Sequence, residues 1–356
     1  MNQAKIADLL KAMVVRNASD LHLTVGCPPS LRVNEDLTPM NLPPLTAEDT
    51  KALAYGLLTP AQIEAFERDL EMDMSFGMDG SGRYRVNVFM QRGCVSAAVR
   101  LLPKHIRNFQ ECGLQAKIME EVCRRKQGLV LITGATGSGK STTLSSMVGW
   151  INEHRKCHVI TIEDPIEYVY ENKQAIIDQR ELGVDTRSYH EALKHILRED
   201  PSVILIGEMR DLENIEAALN IAETGHLVLA TLHTSDAVQT VNRIVDVFPS
   251  HQQQQVRTQL SSVLLAVLAQ QLVPAMDGND RRLAAEIMLA NPAIRALVRE
   301  GKSHQIYSVI QTSHREGMKT MNQSLAELYA RKEISYEEAT SRSHDPEELL
   351  RLIHPT

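Results

Sequence analysis

Aromatic residues are scarce in this chain: they make up 4% of 356 residues, with a single tryptophan. That leaves little from which to build a base-stacking platform for single-stranded nucleic acid. Positive charge is not in surplus either, since 38 Lys and Arg stand against 45 Asp and Glu, a formal net charge of −7. Nucleic-acid binders draw much of their affinity from neutralising phosphates, so this balance argues against that class of partner. The cysteines (Cys27, Cys94, Cys112, Cys123 and Cys157) are odd in number and form no CxxC pair. A disulfide framework or a structural zinc site is therefore not expected. Long apolar runs are missing, because Val263 to Ala269 falls far short of the roughly 18 residues that a membrane span needs. The N-terminal stretch MNQAKIADLLKAMVVRN has no basic segment followed by an apolar block and does not read as a secretory signal. Its Ile6, Leu9, Leu10, Met13 and Val14 follow helical spacing instead. The expectation is a reduced, cytoplasmic protein with no nucleic-acid partner.

What is present is ordinary for a chain that buries a core: 43% hydrophobic and 23% charged residues. The length favours two domains. SDLHLTVG (Ser19 to Gly26) alternates polar and apolar residues and reads as a half-buried strand, with PSLRVNED as a second. Thr46 to Asp69 reads as helices, one starting at Pro60 behind the N-cap Thr59. GSGRYRVNVFMQRG and CVSAAVRLLP form an expected hairpin. Residues 1–102 thus read as a small α+β domain, and 103–113 (PKHIRNFQECG from Pro103) as a linker. From Leu114, short β-branched runs (GLVLITG, HVITIED, VILIGE, GHLVLATLH) alternate with helical patterns. This is the signature of βαβ units and a parallel sheet covered on both faces. Beyond Pro274 the chain reads as helical, with PAIRALVREG, NQSLAELYARKE, SYEEATSRS and DPEELLRLI, the last capped by Asp345 with Pro346 following. The second domain is expected over 114–356, with its helical region from about 275.

Gly134, Ala135, Thr136, Gly137, Ser138, Gly139, Lys140 and Ser141, followed by Thr142, fit GxxxxGK[ST] at every fixed position. Glycines let backbone N–H groups wrap phosphate oxygens, and the helix that follows presents its positive end. Lys140 would reach the β- and γ-phosphates of ATP, and the Ser141 hydroxyl would ligate Mg²⁺. The flanking LVLIT and STTLSSMVGWINE supply the strand and helix that such a loop requires. An acid at the end of a neighbouring strand is also needed, and VILIGE provides Glu208, whose longer side chain suggests metal contact through water. ITIEDPIEY ends a further strand with Glu163, Asp164 and Glu167 within five residues. Crowded carboxylates repel unless a cation or water is held there, and that strand edge is where α/β sheets bind ligands. His226 and His233 bracket LVLATL, on opposite faces, which argues against joint metal binding. One of them could sense the γ-phosphate, or each could be structural. His190 and His195 read as structural. Arg83, Arg85, Arg92 and Arg100 lie in the first domain's expected strands, as a solvated basic face or as a source of a cationic finger for a transferring phosphoryl group.

GATGSGKST, TIEDPIEY, VILIGEMRD and AETGHLVLATLHTSDA occur in this order at close spacing. Together they resemble the Walker A, Asp box, Walker B and His box motifs of the secretion ATPase superfamily that drives type II secretion, type IV pili and archaeal flagella. The match covers nearly the whole chain. ASDLHL, VNRIVDVFP and PAIRALVRE further resemble the PilT-type retraction ATPases, which usually carry AIRNLIRE. Here Ala296 replaces Asn and Val298 replaces Ile. The resemblance implies a homohexameric ring of PAS-like N-terminal domains and RecA-like cores that clamp ATP. It implies Glu167 as general base, Glu208 as Walker B acid and His233 as the principal His-box residue, with an arginine among Arg83, Arg85 and Arg100 reaching a neighbour's nucleotide. It also implies a motor at the cytoplasmic side of the inner membrane, acting through a platform protein that returns pilus subunits to the bilayer. Assembly and type II secretion ATPases of the same superfamily usually carry a further N-terminal domain and a four-cysteine insert, whereas no cysteine follows Cys157. An accessory retraction ATPase is a nearer alternative.

Overall fold

The computed structural model describes residues 5–33, 36–78, 82–103, 105–278 and 280–354. The chain divides into two compact units: residues 1–105 with 165–169, and residues 106–164 with 170–356.

In the first unit, helix α1 (Ile6–Val15) turns Leu9, Leu10 and Met13 inward. Strands β1 (Asp20–Leu23), β2 (Ser30–Val33) and β3 (Asp36–Pro39) follow, then helices α2 (Ala47–Tyr55) and α3 (Pro60–Asp69). Both helices begin in capping boxes, Thr46 with Asp49 and Thr59 with Gln62, so each satisfies its first-turn donors locally. Strands β4 (Glu71–Met78), β5 (Gly82–Gln91) and β6 (Cys94–Leu102) complete a six-stranded antiparallel sheet ordered β3-β2-β1-β6-β5-β4. Its alternation is clean. Leu21, Leu23, Tyr84, Val86, Val88 and Val99 are buried with Phe66 from α3, while Arg83, Arg85 and Asn87 point the other way.

The second unit carries helix α4 (Ala116–Cys123), then strand β7 (Gly128–Thr133), helix α5 (Lys140–His154), strands β8 (His158–Glu163) and β9 (Ile176–Glu181), and helix α6 (Tyr189–Ile196). Strand β10 (Val203–Ile206), helix α7 (Leu212–Glu223), strand β11 (Leu227–Leu232) and helices α8 (Ala237–Asp246) and α9 (Gln253–Val263) come next. Strands β12 (Leu264–Pro274) and β13 (Arg281–Leu289) close a seven-stranded sheet ordered β13-β12-β7-β11-β10-β8-β9. All its pairings are parallel except that of β12 with β13. Every residue of β7, β10 and β11 is buried, as strands covered by helices on both faces must be. At Gly128, φ is +125° and an added Cβ would lie 2.6 Å from the Leu265 side chain, so only glycine admits the close approach of β12. Helices α10 (Pro292–Glu300), α11 (Ile306–Thr312), α12 (Met321–Ala330), α13 (Tyr336–Arg342) and α14 (Pro346–Ile353) end the chain.

The expected α/β architecture is therefore observed, with two corrections of detail. The region after Pro274 does not turn helical at once, because Arg281–Leu289 first pairs antiparallel with β12. RRLAAEIML is built of good helix formers, and the ladder with β12 overrides that preference. The stretch expected as a linker is not all linker: Phe109 is buried with Leu114, Met119 and Val148 in the second unit's core.

One buried acid stands out in this unit. Glu286 on β13 is 2% exposed, and its carboxylate accepts the Ala237 N–H at the start of α8 at 2.8 Å. Burial pushes its pKa up to about 7 against the Ala237 and Met321 N–H groups, which favour the anion, while Asp236 adds to the rise. A folded-state pKa above the unfolded one means that the native state binds the proton more tightly. This contribution is present below the ordinary carboxylate range and is lost as pH rises through about 7. The displacement corresponds to about 3 kcal/mol. Glu286→Gln should therefore flatten the pH dependence of the second unit's urea midpoint between about pH 5 and about pH 8. An unchanged dependence would assign the titration elsewhere.

Candidate active site

Strand β7 delivers the chain to Gly134, where φ is +136° and a Cβ would sit 2.4 Å from the Gln270 carbonyl and 2.6 Å from Ser138 Oγ. No other residue fits. Ala135, Thr136 and Gly137 are exposed and Ser138 is buried. Gly139, the N-cap of α5, offers no side-chain oxygen to the first-turn N–H groups, which leaves that role to an external anion. Lys140 Nζ donates to the carbonyls of Gly134 at 2.7 Å and Ala135 at 2.9 Å, bending the loop around the ammonium. Ser141 and Thr142 follow in the first turn, with Ser141 exposed. Gln270 Nε2 donates to Thr143 Oγ1 at 2.8 Å and fixes α5 against β12, a support that the sequence motif did not reveal.

The adjacent strand ends carry the acids. Gly207 N–H donates to the Ile162 carbonyl at 2.8 Å, and Thr231 Oγ1 donates to the Gly207 carbonyl. These bonds tie the ends of β8, β10 and β11 together just where Glu208 emerges. A Cβ on Gly207 would lie 2.8 Å from the Tyr189 hydroxyl, so this glycine admits the tyrosine. Glu208 Oε1 lies 3.1 Å from His233 Nε2 and Oε2 lies 2.8 Å from Arg210 Nη2. Burial pushes the Glu208 carboxyl up, but Arg210 and His233 together outweigh it and hold the pKa below the ordinary range. The structure thus brings Glu208 and His233 together and adds Arg210, which sequence spacing had not singled out. Glu163 is held by Thr161 Oγ1 at 2.7 Å and Gln179 Nε2 at 3.1 Å. Burial, with Asp164, Glu208 and Glu163 nearby, drives the Tyr189 phenol pKa well up, so it stays protonated.

His226 takes the opposite end of β11. Its Nδ1 lies 3.2 Å from the Ile221 carbonyl and it caps the α7 turn, a structural role. His190 pairs with Glu213 at 3.3 Å. Glu167 falls in the segment 165–169, grouped with the first unit, where it is half-buried between the buried Ile166 and Tyr168. Arg83, Arg85 and Arg100 share the polar face of the first unit's sheet, with Arg85 directly across from Arg100. Arg100 Nε meets Asp20 at 2.8 Å, and Arg83 Nη2 donates to Ser75 Oγ at 2.6 Å. Arg85 has no ion pair among the described residues. Arg92 takes a positive φ in the β5–β6 turn.

Among the described residues no three or more His, Cys, Asp or Glu side chains converge as a metal site. The donors on offer are the Ser141 hydroxyl and an ionised Glu208 carboxylate, an all-oxygen set. That fits Mg²⁺, which keeps several waters and takes the rest of its ligands from phosphates.

A family model described as Type II/IV secretion system protein matches residues 3–341. The chain is 46% identical to a type IV pilus retraction ATPase, PilT, of Pseudomonas aeruginosa, over 96% of this chain and 99% of that one. It is 43% identical to a twitching motility protein of Neisseria gonorrhoeae, over 97% and 92% respectively. A crystal structure of the pilus retraction motor PilT with bound ADP superposes with a TM-score of 0.92 at 49% identity, covering 98% of this chain and 99% of that one. Among the described residues no helix is long and apolar enough to cross a membrane. On an end-to-end match of sequence and fold, with the phosphate loop and the acids gathered at one sheet edge, the chain belongs to the Type II/IV secretion system protein family.

Proposed function

We propose that this chain is an ATP-hydrolysing motor that retracts type IV pili. In this reading it works in the cytoplasm at the pilus base, as a homohexamer, through an inner-membrane platform protein. The observation that carries the reading is the 46% identity to a pilus retraction ATPase across essentially the full length of both chains.

The loop from Gly134 to Gly139 and Lys140 hold the β- and γ-phosphates of ATP, the first by backbone N–H groups and the second by charge. Ser141 and Glu208 would hold Mg²⁺, which when bound would supply charge neutralisation at the phosphate oxygens. Glu167 accepts a proton from the attacking water as its oxygen bonds to the γ-phosphorus and the bond to the β-γ bridging oxygen breaks. Glu163, fixed by Thr161 and Gln179, orders the water beside it. His233 reads the site through its contact with Glu208. Of the three arginines, Arg85 is the one we assign to a neighbouring subunit's nucleotide, because Arg100 is committed to Asp20 and Arg83 to Ser75.

Three measurements test this. Lys140→Ala should abolish tight ATP binding, whereas Glu208→Gln and Glu167→Gln should keep binding and cut kcat by about 10²-fold or more. Wild-type turnover in Glu167→Gln would remove it as the base. Arg85→Ala should lower kcat by about 10³-fold, the scale of a lost arginine finger, and by more than Arg100→Ala. The reverse order would shift the assignment to Arg100. In the host, deleting the gene should leave excess surface pili and abolish surface motility. Bald cells would make the protein an assembly ATPase, and unchanged cells an accessory motor.

A further inference from the structure

The edge of the parallel sheet opposite the phosphate loop holds a concavity of about 670 Å³. It is formed where helices α4, α5 and α7 end and strands β8, β10 and β11 begin. Its lining includes Arg124, Lys126, His154, Arg155, Lys156 and His226, and no aspartate or glutamate. In a chain of net charge −7, this is a concentrated positive site. Part of it has a structural explanation, since cations at helix C-termini complement the helix dipole. Arg155 Nη1 donates to the carbonyls of Cys123 at 2.8 Å and Arg125 at 3.1 Å, capping α4. Arg124 pairs with Glu120 at 3.2 Å and lies 5.5 Å from the Trp150 ring centroid. Lys126 and Lys156 have no such account: both are exposed, and neither has a carboxylate partner among the described residues. The surroundings are pre-set. His154 and His226 each direct Nδ1 at a backbone carbonyl, at 2.8 and 3.2 Å, and a carbonyl only accepts, so both rings are fixed in orientation.

We infer that this concavity is a second anion site, distinct from the nucleotide loop, that takes a phosphate-bearing ligand on Lys126, Lys156 and Arg124. Two ammonium groups without a carboxylate partner, beside a guanidinium that Glu120 holds in place, suit a compact, multiply charged phosphate. Such a group is carried by anionic lipid headgroups or occurs free in solution. The inference does not rest on the pilus reading.

Trp150 also lines the concavity and is the chain's single tryptophan, so its emission reports on this site, and the lysine variant below separates that signal from any change at the phosphate loop. The full-length protein would be saturated with ADP to fill the phosphate loop, then titrated with inorganic phosphate, with phosphatidylglycerol vesicles and with phosphatidylcholine vesicles. A saturable change in Trp150 emission with phosphatidylglycerol and not phosphatidylcholine identifies a headgroup site, and a change with inorganic phosphate identifies a soluble ligand. In either case Lys126→Gln/Lys156→Gln should weaken binding by about tenfold or more, given the worth of each lysine near an anion, with ATPase rate unchanged. The inference is overturned if neither probe moves the emission, or if the double variant binds like wild type.

Discussion

Parallel pairing is the constraint on which the site depends. Strands β7, β8, β10 and β11 run in one direction and in register, with Ile206 opposite both Ile162 and Ala230 and with Leu232 opposite Thr133. Each connection must therefore cross back to the starting edge, through α5 after β7 and α7 after β10, and each strand must release its chain at the same edge. The phosphate loop, Glu163, Glu208 and His233 are far apart in sequence, yet all follow strand ends. Their convergence is a consequence of strand direction, and the Gly207 bonds to Ile162 and Thr231 sharpen it into a fixed array.

Within that array the carboxylate chemistry is set by neighbours. Half-buried, Glu208 would tend to take up a proton. Arg210 and His233 reverse that tendency and keep it ionised, ready to act as a donor to a cation or its water. Tyr189, packed over Gly207, is kept as a phenol by burial and the surrounding acids. A neutral hydroxyl thus stands among anions, where it can donate without adding charge.

Local chemistry was legible in the sequence where the requirement itself is local. A loop that wraps phosphate needs glycines at fixed offsets, and Gly134, with no room for a Cβ against Gln270, shows why. Capping residues such as Thr59 and Asp345 declare helix starts for the same reason. Long-range commitments were not legible. Nothing near Arg100 in sequence announces Asp20, 80 residues away, as its partner, and nothing near Thr143 announces Gln270. Strands β12 and β13 were hidden because LLAVLAQQLVP and RRLAAEIML satisfy helical and extended patterns equally, and only their mutual ladder decides. The segment 165–169 was likewise unreadable, since five residues inside an acidic turn carry no signal of which unit they pack with.

The same directionality gives the sheet two chemically opposite edges. Where strands end, helices begin, and their N–H groups make an environment for anions that only glycine and small polar residues can line without blocking it. Where strands begin, helices end, and their carbonyls favour cations, as Arg155 over α4 and Arg295 against the Ser261 and Ser262 carbonyls of α9 both show. Dipole complementarity accounts for cations that touch carbonyls. It does not require the exposed Lys126 and Lys156, because an exposed ammonium without an ion pair gains little from a helix end. Lys126 and Lys156, exposed and without a carboxylate partner among the described residues, are the cations that this complementarity leaves over, and they are the groups that would meet the inferred anion.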